Sequence, residues 1–482
     1  MSFSVPTTPR RRYIPLPTRP PSLSPTSLNQ LHEQLSNFLA HALSYTNEHA
    51  QDYPRATVYS GLAGISLLNH HIAPFVPHLT SRQTAHSQLV SALQSDPLQP
   101  PSSGSKVAFL DTSVGPATLV LYYQLCHFSA PSSQQPPFSI KECAWCARLL
   151  HDAANAATQD DEGIDAPEDG CELLYGRAGL LYALLLLKST IPAVNGGSPD
   201  SPNSGFESLV ELLRSLTRTA TLKLLVDDLI RRGRAGAARF SAESRLTEGP
   251  GLMWVWHGKR YLGAAHGIAG ILDVILHCPE SILVTHASVI CNTVEHLLFL
   301  QDPSGNWPSS ASTMPVIIPK SSELVQWCHG STGVIPLLAS ILQRAKALRL
   351  SSDLRSATLS SLDRAAALTY ARGLTRKGPG LCHGASASAC ALLMLADCSA
   401  IPPEARQRHL WHGMHLAQCI AELQPRGGFA DGDRPSSLYE GLSGACVAVA
   451  IVVCKLDTLL GRSRSGGVMR TGILGAADLP FL

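Results

Sequence analysis

The chain has 482 residues, 45% hydrophobic and 15% charged, with a net charge of +2. That composition is ample for a large buried core and leaves no nucleic-acid footprint. Its 13 cysteines, an odd number without a secretory signal, argue against a disulfide framework and for a reducing, cytoplasmic compartment.

Residues 1–27 are rich in Pro, Ser, Thr and Arg and predict a disordered or extended arm, because proline blocks helices and little of the segment can be buried. Ser2 stands where myristoylation would need glycine. From Leu28 onward the spacing turns helical, with Leu31, Leu35, Phe38, Leu39 and Leu43 on one face. Tyr59-Ser60-Gly61-Leu62-Ala63-Gly64 then opens an apolar helix, and related units recur. Residues 109–116 are a degenerate copy. Leu174-Tyr175-Gly176-Arg177-Ala178-Gly179 and Ala265-His266-Gly267-Ile268-Ala269-Gly270 are clear ones. Cys328-His329-Gly330-Ser331-Thr332-Gly333, Cys382-His383-Gly384-Ala385-Ser386-Ala387 and Tyr439-Glu440-Gly441-Leu442-Ser443-Gly444 complete the set.

These make roughly seven copies at intervals of about 50–90 residues. Most are Gly-x-x-Gly at the start of a helix apolar nearly all round, which must therefore be buried. More amphipathic stretches such as 209–216 and 357–370 fill the intervals. The expected fold is all-α: an α/α toroid, with inner helices ringed by outer ones and the glycine loops crowded at one mouth. Length alone allows about three domains, but no interruption is long enough for a linker, so 28–482 is expected to form one unit. The longest apolar runs, such as 180–187, are too short to span a bilayer. We therefore expect no transmembrane segment; peripheral membrane contact stays compatible.

The loops at one mouth would bring Cys328, Cys382, His383, His266 and Glu440 together. Two thiolates and one imidazole suit a borderline-soft divalent metal, and three protein ligands leave a fourth tetrahedral position open, as in catalytic zinc sites. A buried cysteine is ordinarily a small hydrophobe, and most of the 13 must be that. Cys143-Ala144-Trp145-Cys146 has a redox-like spacing without a βαβ context, so it reads as helix packing.

With these motifs the chain resembles the lanthionine synthetase C-like family, its eukaryotic branch in particular. The resemblance rests on the units above together with Glu172-Leu173-Leu174-Tyr175-Gly176-Arg177, Ser304-Gly305-Asn306-Trp307-Pro308, Val325-Gln326-Trp327-Cys328 and Lys377-Gly378-Pro379-Gly380-Leu381-Cys382. It implies a double-layered α-barrel and a zinc ion held by Cys328, Cys382 and His383. It also implies thiol addition to dehydroalanine or dehydrobutyrine, the thiol being that of a peptide cysteine or of glutathione. His266 is then the candidate acid/base, and Lys377 and Arg12 the residues that hold glutathione. Ala430 falls where the family has an arginine, for which Arg434 or Arg426 can compensate. Ser113 and Ala387 also depart from the family pattern. Arg177 is expected to pair with Glu172 or Glu440, and Glu440 to cap its helix.

Two other functions fit the sequence. One is a non-catalytic zinc scaffold of the same fold. The other is a toroidal glycosidase using Glu440 with Asp431, Asp433 or Glu323, in which the Cys/His cluster would have no role.

Overall fold

The computed structural model describes residues 11–22, 24–128, 136–159, 170–191, 204–245, 249–313, 322–430 and 432–462. Its helices are α1 (Pro25–Glu48), α2 (Leu62–Ile72), α3 (Arg82–Ser95), α4 (Val114–Phe128) and α5 (Ile140–Gln159). They continue as α6 (Arg177–Thr190), α7 (Ser204–Leu216), α8 (Thr219–Ser244), α9 (Ile268–Leu276) and α10 (Glu280–Phe299). The last are α11 (Ser331–Gln343), α12 (Ser352–Arg372), α13 (Ala385–Asp397), α14 (Pro403–Leu423) and α15 (Leu442–Leu459). Among the described residues strand pairing is confined to isolated bridges.

The glycine units each open an inner helix, and these helices close a ring. α2 packs on α4, α4 on α6, α6 on α9, α9 on α11, α11 on α13, α13 on α15, and α15 returns to α2. The other helices lie outside, as α3 against α2, α5 against α4, α12 against α11, α14 against α13 and α1 against α15. The inner helices are buried on all sides: every residue of α9 is buried, as are residues 331–342 of α11. This answers their uniform apolarity. α10 and α15 have the length and composition to cross a bilayer, which corrects the expectation that no helix does. α15, however, is an inner helix with most of its residues inside the ring.

The loops explain the glycines. The first amide of an inner helix donates to the carbonyl seven residues upstream: Leu62 to Arg55, Arg177 to Gly170, Ile268 to Tyr261, Ala385 to Gly378 and Leu442 to Pro435. Each loop thus folds back over its own helix start and satisfies an amide that would otherwise lack a partner. The second glycine makes room for this. A Cβ on Gly270 would lie 1.9 Å from the Ala264 carbonyl oxygen. In the copy before α11 the first amide bonds the Asn306 Oδ1 instead, at 2.8 Å, and Gly330 there adopts a φ of +100° that disfavours any side chain.

Neighbouring loops are also stitched to one another. Tyr59 N donates to Leu110 O, Ala108 N to Tyr175 O, Leu174 N to Ala265 O and Ala264 N to Trp327 O. Cys328 N donates to Cys382 O, Cys382 N to Tyr439 O and Tyr439 N back to Tyr59 O. A closed circle of backbone hydrogen bonds therefore runs around the mouth, and the candidate site residues are built into it.

Over residues 11–22 the expected arm is extended but anchored, not disordered. Tyr13 pairs antiparallel with Thr375, Ile14 N donates to Leu374 O at 2.7 Å and Arg376 N to Arg12 O at 3.0 Å. Proline blocks helix without blocking an extended edge.

Candidate metal and thiol site

The loops entering α11 and α13 carry the densest chemistry. Their direct bond, Cys328 N to Cys382 O at 3.2 Å, places the two thiols side by side. One donor atom from each of Cys328, Cys382 and His383 lies within 4.8 Å of the others. Asn306 braces the first loop by donating to Ser322 O and Leu324 O. Thr375 Oγ1 braces the second by donating to His383 O at 2.8 Å. Cys328 is held below the usual thiol value, first by its hydrogen bond with Cys382 and, against burial, by the nearby Lys377 ammonium. Cys382 is pushed well above it by the same bond and by burial.

His266 stands in the adjoining loop, whose Ala264 amide bonds the carbonyl of Trp327. Its Nδ1 lies 2.9 Å from Glu172 Oε2. A carboxylate only accepts, so Nδ1 carries the proton and Nε2 is left for exchange. The Glu172 carboxylate is itself fixed by the amides of Leu174 and Tyr175, at 2.8 and 2.6 Å. The Trp256 ring is nearly parallel to the imidazole, 7° and 5.5 Å apart. His329 completes this side; burial first, then His266 and Lys377, lower it to about 4, so it is neutral at physiological pH.

The other expected residues ring the mouth. Lys377 is exposed at the rim. Arg12 is exposed, with Nε 3.4 Å from Glu323. Arg434 lies 4.6 Å over the Tyr53 ring and near the half-buried Glu440, whose carboxyl is raised by burial. Asp111, raised by burial against the lowering effect of Arg55, lines a cavity of about 260 Å³ with Arg55 and Lys106. Asp431 lies outside the described residues.

Two expectations need correction. Arg177 pairs with Asp228, at 3.0 Å, and no ion pair to Glu172 or Glu440 is found among the described residues; the Glu172 carboxylate serves His266 instead. Glu440 does not cap α15, whose N-cap is Gly441. The roles of Glu172, His329 and Asp111 were missed. Glu172 and Asp111 stood inside recognised repeats, but nothing local in the sequence tied them to partners in other repeats. Cys143 and Cys146 are buried in α5 as packing residues.

The ring and its mouth define an α/α toroid with a Cys-Cys-His cluster at its loop end. A model described as "Lanthionine synthetase C-like protein" matches residues 53–455, and the chain belongs to that family. Among known proteins it is 27% identical over 398 residues to the "Glutathione S-transferase LANCL1" of Danio rerio, covering 82% of this chain and 81% of that one. Among solved structures, "Nisin cyclase" matches with a TM-score of 0.49 and 15% identity, over 86% of this chain and 93% of the other.

Proposed function

We propose that the protein is a zinc-dependent transferase that adds the thiol of glutathione, or of a peptide cysteine, to dehydroalanine or dehydrobutyrine residues, forming a thioether. The observation that carries this reading is the three-donor cluster within 4.8 Å at the mouth, beside an imidazole oriented by a buried carboxylate. The donors fit zinc: two sulfurs and a nitrogen on one tetrahedral ion lie roughly 3.5–3.8 Å apart, given bonds of about 2.3 and 2.0 Å. When bound by Cys328, Cys382 and His383, zinc supplies a positive charge that holds an incoming thiol as its thiolate.

The chain's own residues do the rest. The thiol sulfur bonds the β-carbon, the alkene pair moves to the α-carbon, and that carbon gains the proton that balances the one the thiol lost. In this reading His266 Nε2 delivers it, while Glu172, 2.9 Å from Nδ1, fixes the tautomer and stabilises the imidazolium that exchanges it. Lys377, Arg12 and Arg434 supply cations for the carboxylates of glutathione. The relative named a glutathione S-transferase supports the thiol chosen.

The test is steady-state addition of glutathione to a dehydroalanine peptide, with zinc measured on each variant. His266→Ala is expected to lose about 10²- to 10⁴-fold in turnover with zinc retained. Glu172→Gln is expected to lose less and to shift the pH profile, since an amide stabilises an imidazolium poorly. Wild-type turnover in His266→Ala, or loss of its zinc, would overturn the assignment.

A further inference from the structure

The arm does more than run past the mouth. By lying along residues 374–376 it sets Arg11 and Arg12 beside Arg372, Arg376 and Lys377. Arg376 Nε donates to Arg11 O at 3.0 Å. The guanidinium carbons of Arg11 and Arg372 each stand 5.9 Å from the centre of the Tyr13 ring. Against these cations stands Glu323, exposed and near Arg12. The loop that borders them, through Ala430 N to Arg376 O, adds Asp433 together with Arg434, and Glu440 lies deeper. Exposed pairs of this kind contribute little, and neighbouring like charges repel. Such a concentration suits an anionic partner, which it would both attract and orient. The patch is also continuous with the reactive cluster, because Thr375, which pairs with Tyr13 of the arm, donates its hydroxyl to His383 O at 2.8 Å.

We propose that this rim is the docking surface for acidic residues flanking the dehydroamino acid of a polypeptide substrate, so that the enzyme prefers acidic sequence contexts. This rests on the thiol-addition reading above. A polypeptide whose reactive residue enters the mouth must lay its neighbours across the rim. An anionic membrane is the less fitting partner. Among the described residues the exposed large apolar side chains, such as Trp145, Leu224 and Phe299, belong to helices and not to the arm or to 372–377, and interfacial binding draws on apolar insertion as well as charge.

The experiment compares glutathione addition to dehydroalanine peptides of equal length flanked by Glu, by Ser or by Lys. The Glu-flanked peptide is expected to show a Michaelis constant about three- to tenfold below the Ser-flanked one, with the gap closing as salt rises. An Arg372→Gln, Arg376→Gln double variant should abolish that preference and leave turnover of the Ser-flanked peptide unchanged. Its lysine counterpart, Arg372→Lys with Arg376→Lys, should keep the preference, which separates lost charge from a disturbed arm. Equal constants for the three peptides, or an equal effect of the glutamines on all of them, would overturn the proposal. Fluorescent peptides carrying alanine at the reactive position read the docking without the chemistry. Acidic-selective binding of these without turnover would sink the thiol-addition reading and leave the rim assigned. Loss of binding to phosphatidylserine vesicles in the glutamine variant, with the peptides indifferent, would overturn the proposal in favour of a membrane surface.

Discussion

Glu172 and Asp273 show two uses of a buried carboxyl. Glu172 is buried yet fully engaged, by two amides and an imidazole. Asp273, in α9, has one described hydrogen bond, from Ser340 Oγ at 2.6 Å, and burial raises it to about 7 against that bond. Its folded value thus exceeds its ordinary 3.8. Between those values the native state binds the extra proton, and this contribution to stability is lost as pH rises through the window. Asp273→Asn keeps an acceptor for Ser340 without the charge. It should stabilise the protein by about 1–3 kcal/mol at pH 8, with the difference vanishing near pH 4. Urea unfolding at the two pH values checks this, and a gain of equal size at both would contradict it. At this scale the sequence was partly legible. Cys328, Cys382 and His383 announced themselves because each sits in a repeated motif of unusual composition. The partner of His266 did not, since Glu172 is 94 positions away and Arg177, its near neighbour, offered a plausible but mistaken pairing.

The elements were the most legible part. Gly-x-x-Gly at the mouth of an apolar run specifies a helix start over which a loop can fold, and each such unit opens an inner helix. The arm was read less well. Its composition allowed an extended chain, but its pairing lies at a separation of 365 residues and leaves no local pattern. Thr18 Oγ1 extends that anchorage, 3.1 Å from His415 Nε2, whose other nitrogen faces the Tyr370 hydroxyl at 2.7 Å. A few hydrogen bonds of about 1 kcal/mol each hold the arm, far less than the ring's packing. Removing residues 1–22 is therefore expected to lower the thermal midpoint by only a few degrees and to leave zinc content unchanged. The Michaelis constant for glutathione should rise several-fold as Arg12 departs. Circular dichroism and steady-state kinetics decide it. Collapse of the helical signal would mean that the arm is part of the core, and an unchanged constant would remove Arg12 from the site.

For the whole molecule, closure is the decisive property, because every loop of the mouth is bonded to the next. The circle of backbone bonds needs all the repeats at once, so the mouth should be lost together with the ring. Acid should open it. His71, His86, His277, His409 and His412 are each lowered by burial from 6.5 to about 4. Below pH 6.5 the unfolded chain gains protons that the native state refuses, so stability falls as pH drops toward 4. Asp273, Asp111 and Glu440, raised by burial, act in the opposite direction but are fewer than the histidines. The urea midpoint should be lower at pH 5 than at pH 7; a higher one would show that these histidines charge freely within the fold.

The central claim is that this mouth holds zinc and joins a thiol to an alkene. The most direct measurement is the mass of a dehydroalanine peptide after incubation with glutathione and purified protein whose zinc content is known. The account predicts about one zinc per chain and a peptide heavier by one glutathione, at a rate that collapses in a Cys328→Ala, Cys382→Ala variant. A full complement of zinc with no gain in peptide mass would contradict it.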